Sequence, residues 1–126
     1  MNGWFLTAGT TAGAVAALHA IAGSRDVVRP LLAGNLADEP RRVLHAVWHM
    51  VTADLVLAAA ALIWLALGRG RPGGDTMAWL LTAHFVAYSG AFLAVSLAAS
   101  WSRPLLRLPQ WILLLPVAVL AAIGTV

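Results

Sequence analysis

The sequence contains no cysteine and no lysine, and a single tyrosine, Tyr88. Without cysteine there is no disulfide framework, no thiolate metal site and no cysteine nucleophile. Charge is scarce too. Only 10% of the 126 residues are Asp, Glu, Lys or Arg, against about 25% in a soluble domain. The net charge of +3 rests on arginine alone. The eight arginines are scattered between apolar runs and form no stripe, so a nucleic-acid partner is not expected. Nucleophile and phosphate motifs are missing as well. Ser89, Ser96, Ser100 and Ser102 lie in no G-x-S-x-G elbow. GRGRPGG (68–74) lacks the Lys-Ser/Thr end of a phosphate loop.

What the chain does have is long apolar runs. Residues 1–24, 76–102 and 108–126 contain no Asp, Glu, Lys or Arg, and residues 43–68 contain only Asp54. A bilayer core of roughly 30 Å takes about 20 apolar residues in a helix. Four runs predict four spans, at about residues 4–21, 43–67, 77–99 and 105–126, in one membrane domain covering 1–126. The Ala/Leu-rich, non-alternating pattern excludes strands, and helices pair every backbone group within lipid. The first run has no basic n-region, so it reads as a span and not as a signal peptide. The expected fold is therefore all-α, an integral membrane four-helix bundle.

The connections fill in the plan. Val27, Val28, Leu31 and Leu32 stand among Arg25, Asp26 and Arg29, which predicts a short amphipathic segment at the interface between the first two spans. A polar turn then ends at Pro40, and GRGRPGGD (68–75) reads as a tight turn. Pro116 should kink the last span. Arg25, Arg29, Arg41, Arg42, Arg103 and Arg107 share one side, and Arg69 and Arg71 the other. Six against two puts the first side in the cytoplasm and both termini outside, in a bacterial inner membrane. In the first span Gly9, Gly13 and Ala17, and Ala8, Ala12 and Ala16, recur every four positions. Such faces let helices approach closely in lipid, and they predict a homo-oligomer or a partner in a membrane complex.

Ionisable residues mark two places. His19 closes the first span on the cytoplasmic side, and His45 and His49 open the second on the same side. Residues four apart share a helix face. Together with His19 the pair would make a three-histidine site with an open position, of the kind zinc uses. Copper or iron also accepts imidazole. Asp26 and Trp48 are the candidate supporting residues, and Asp38 is a second carboxylate in the connecting loop. Two haems are excluded, because the histidines of the second span lie one turn apart; one haem between His19 and His45 or His49 is the weaker alternative. The bland alternative is an interfacial pair that bonds backbone, water or lipid phosphate.

Asp54 lies about 140° round the helix from His49. It cannot share the histidine face. It also stands about three turns into the span, where a carboxylate costs about 2.5–3.5 kcal/mol and should face protein or a water-filled cavity. Counting from the cytoplasmic ends puts His84 about 6 Å from the level of Asp54 and about 13 Å from that of His49. Asp54, His84 and Tyr88 are thus a candidate intramembrane polar group. The plain alternative is a protonated Asp54 bonded to a hydroxyl or a carbonyl.

The run from His19 through Gly23 to Arg29, Pro30, Leu31 and Leu32, followed by Arg42, Trp48 and His49, resembles small four-span bacterial membrane proteins. These carry L-H-x3-G-x-R, then R-P-L-L, then R-x5-W-H. The resemblance covers about the first half of the chain. It implies a four-span architecture and a cluster of His19, Trp48 and His49, and it implies no activity. In those proteins an acidic residue directly follows the glycine. Here Ser24 stands there and Asp26 comes two residues later, which leaves a carboxylate ligand open. Three functions follow as expectations: transition-metal binding at His19, His45 and His49, for metal handling or metal-dependent chemistry; proton-coupled transport of a small solute by Asp54 and His84; or an accessory role in a membrane complex.

Overall fold

A computed structural model describes residues 1–68 and 72–126, and among them every regular element is helical. Arg69 and Arg71, and the middle of the expected 68–75 turn, lie outside the described residues. The elements are α1 (Gly3–Leu18), a π-helical stretch (His19–Val28), α2 (Arg29–Ala33), α3 (Asp38–Leu67), α4 (Gly74–Ala98), α5 (Pro104–Arg107) and α6 (Gln110–Gly124). Three helices are long and apolar enough to cross a bilayer: Gly3–Ala33, Asp38–Leu67 and Gly74–Ala98.

The boundaries differ from the sequence reading in three places, each with a local cause. The segment expected to lie apart as an amphipathic piece instead continues the first helix, as one rod of 31 residues to Ala33. The rod runs on through Pro30 and ends at Gly34, whose backbone is extended (φ −76°, ψ 168°). The rod widens midway: Arg29 N–H donates back to the Ser24 carbonyl, five residues earlier, and the Ser24 hydroxyl donates to the Ala20 carbonyl at 2.5 Å. Second, α3 begins at Asp38 and not near residue 43. Pro40 sits in its first turn, where the missing N–H has no helical partner to lose. The Asp38 carboxylate accepts from Arg41 at 2.8 Å and from Arg42 at 2.7 Å, and an anion suits that end of a helix. Third, the last run is broken. Proline disfavours helical backbone in the residue before it, and Leu108 before Pro109 has φ −123° and ψ 79°. What remains is α6, 15 residues long, which runs through Pro116 without interruption.

Small residues decide the packing. Ala8, Ala12 and Ala16 are buried against the α3 face of Leu55, Ala59, Leu62 and Ala66. Gly9 joins this face, since a methyl there would meet Ile63 Cγ1 at 2.7 Å, whereas Gly13 has open space beside it. On α4, Ala78, Thr82, Phe85, Ser89 and Ser96 form a buried stripe, and Leu114, Val117, Ala118 and Ala121 form that of α6. α1 packs closely on α3, and α4 on α6; α1 and α6 join the two pairs, and α3 and α4 barely touch.

Asn2 fastens one end of the assembly. Its Oδ1 accepts from the N–H groups of Trp4 (3.0 Å) and Phe5 (3.3 Å), capping α1. Its Nδ2 donates to the Gly124 carbonyl at 2.8 Å, and its backbone N–H to the Ala66 carbonyl at 2.9 Å. The start of α1 and the ends of α3 and α6 are therefore held together by one residue. The outer surface is apolar, with Ile21, Met50, Leu57, Leu80, Leu97 and Leu106 all exposed. That suits a lipid environment.

Candidate functional site

The two groups of ionisable residues singled out by the sequence fare differently. At the Trp48 end, the indole stacks on the His19 imidazole, with ring centres 3.8 Å apart and planes 14° apart. Gly23, one turn beyond His19, has no side chain because the Trp48 ring fills that space; a methyl there would overlap it. His19 and Gly23 thus make the bed on which α3 docks. The π-helical widening begins at His19, at this contact.

His45 and His49 point elsewhere. Their Nε2 atoms approach to 3.1 Å and their ring centres to 4.7 Å. Trp48 is about 100° round the helix from His49, so the face that meets α1 is not the histidine face. The expected three-histidine group is consequently not assembled: among the described residues no three of His, Cys, Asp or Glu gather as a metal site. Asp26, expected as a supporting carboxylate, is bonded instead to Arg25 at 2.7 Å and is exposed.

Asp54, His84 and Tyr88 do come together. Asp54 lies near the middle of α3, and His84 near the middle of α4. His84 Nε2 is 3.1 Å from Asp54 Oδ2. The His84 and Tyr88 rings are 4.2 Å apart, which brings Tyr88 into the same group. The imidazole approach is close but off the axis of a directed hydrogen bond, and neither Oδ2 nor Nε2 has an aligned partner. Side-chain exposure is 40% for Asp54 and 25% for His84. Both line an open groove of about 330 Å³ between α3 and α4, whose other walls include Leu57, Ala58, Ala61 and Leu80. The groove lies at a seam of the bundle that packs sparsely. A larger hollow of about 570 Å³ near Asn2, Trp4 and Ile123 has no acidic or basic side chain in its lining.

Two structural residues escaped the sequence reading. Asn2 had a signal, since an Asn just before an apolar run is a helix cap. Gly23 had one only as part of the L-H-x3-G pattern, and nothing in its spacing names Trp48 as the ring above it. No protein-family model, no curated protein and no solved structure matches this chain.

Proposed function

We propose that the chain is a multi-pass protein of the bacterial inner membrane that couples proton movement to the passage of a small solute. The site is the groove between α3 and α4, with Asp54 as the proton carrier and His84 and Tyr88 as its partners. The observation that carries this reading is the 3.1 Å approach of His84 to Asp54 inside an open and otherwise apolar groove. A carboxylate kept only to pin helices together should be sealed and fully hydrogen-bonded. Asp54 is 40% exposed, and its Oδ2 has no aligned partner. Oδ2 is itself buried beside His84, and it is the side chain as a whole that opens to the groove.

The groove volume of about 330 Å³ falls in the range of small-molecule sites, about 300–1,000 Å³. One acidic group among methyl and methylene walls suits a small cation with an apolar body. Protonation of Asp54 then removes the charge that holds the cation, so proton and cation exchange places. The packing supplies a motion: the α1–α3 and α4–α6 pairs can part at the loose α3–α4 seam without breaking their own interfaces. In this reading the arginine-rich connections face the cytoplasm and the arginines of the second and third helices' connection face outward. The amphipathic end of the first rod meets the headgroups, and a second copy shields the groove from lipid.

The test is uptake of tetraethylammonium, a small cation that crosses lipid slowly, into proteoliposomes under an imposed pH gradient. The expected result is gradient-dependent uptake that is abolished by Asp54→Asn, with that variant eluting from size exclusion like the parent. Equal uptake by parent and variant, or by protein-free vesicles, would overturn the proposal.

A further inference from the structure

We propose that His45 and His49 form a two-imidazole site for a borderline divalent transition metal, at the start of α3 and independent of the Asp54 groove. The geometry is that of a chelate. Metal–imidazole bonds are about 2.0–2.1 Å long. Two such bonds place their nitrogens roughly 2.9 Å apart at a right angle and roughly 3.3 Å apart at a tetrahedral one. His45 Nε2 and His49 Nε2 are already 3.1 Å apart, between those limits. The same nitrogen of each ring faces its partner, so one ion can meet both rings when each carries its proton on Nδ1.

The surroundings suit an exchangeable ion. His49 is exposed and His45 half-buried, so one side of the pair is not covered by protein. No third His, Asp or Glu joins them among the described residues, so the remaining positions fall to water or to an arriving ligand. Arg41 and Arg42, the cations one turn earlier on the same helix, are bonded to Asp38. His19 takes no part, because its ring is stacked on Trp48. Imidazole ligands rank the divalent ions with copper tightest and nickel and zinc weaker.

Calorimetric titration of copper(II), nickel(II) and zinc(II) into tag-free, chelator-stripped protein in detergent tests the site. We expect saturable binding, copper tightest, at one ion per chain, or one per two chains if copies share it. His45→Ala and His49→Ala should each weaken it by roughly 10²-fold, since the second imidazole acts at high effective concentration. His19→Phe and His84→Ala should leave it unchanged, the latter separating this site from the Asp54 groove. Circular dichroism confirms that each variant is folded. Absence of saturable binding, or binding unaffected by His45→Ala and His49→Ala, would overturn the proposal, as would dependence on His19.

Discussion

The indole of Trp48 lies flat on the imidazole of His19, ring centres 3.8 Å apart, over a glycine that leaves it room. This contact converts the L-H-x3-G and W-H patterns from a ligand set into a docking joint between the first rod and α3. Gly23→Ala should therefore destabilise the protein by about 1–3 kcal/mol, the usual range for overpacking. His19→Phe should cost much less, because a flat ring is what the contact needs. Thermal unfolding in detergent measures both. If His19→Phe melts as early as Gly23→Ala, the imidazole supplies something other than stacking.

Asn2 offers a second test. Asn2→Ala removes a helix cap, about 0.5–2 kcal/mol, and also the side-chain hydrogen bond to Gly124, net about 1 kcal/mol. Asn2→Ser keeps a capping oxygen and loses the donor to Gly124. Midpoints in the order parent, Asn2→Ser, Asn2→Ala are expected. Identical losses in the two variants would assign the whole effect to the Gly124 bond.

The sequence made the helical class and the existence of long apolar spans plain, because both depend on composition averaged over many residues. It also put Asp54 and His84 within about 6 Å in depth by counting residues along two rods, and the structure brings them to 3.1 Å. It failed where a single side chain decides. The angle between Trp48 and the histidine pair on α3 separates His19 from His45 and His49, and periodicity alone cannot say which face meets α1. Helix ends were missed for the same reason. Pro40 is harmless in a first turn, whereas Pro109 breaks a run that hydropathy reads as continuous.

Asp54 is the only acidic residue inside the apolar runs, so its protonation can be observed in isolation. Infrared difference spectra taken through a pH titration should contain a carboxyl band that belongs to Asp54. Asp54→Asn should remove it. Tyr88→Phe should shift it, because the Tyr88 ring packs on the imidazole that meets that carboxylate. A band that survives Asp54→Asn would place the proton elsewhere, and an unshifted band in Tyr88→Phe would remove Tyr88 from the site.

The hydrogen bond from Asn2 to Gly124 also decides how α6 is to be read. At 15 residues and 1.5 Å each, α6 spans about 22 Å, short of a hydrocarbon core of about 30 Å. By length alone it could lie on the surface. Yet the Asn2 side chain meets the Gly124 carbonyl at 2.8 Å, so both positions must lie on one side of any membrane the chain spans. If the candidate spans Gly3–Ala33, Asp38–Leu67 and Gly74–Ala98 each cross, a return to the starting side predicts a crossing by α6 as well. The absence of native cysteine makes the test clean. Single cysteines at Thr125 and at Gly3 should be labelled by an impermeant maleimide from the same side of sealed vesicles, and a cysteine at Arg103 from the opposite side. Labelling of Thr125→Cys together with Arg103→Cys would mean that α6 does not cross.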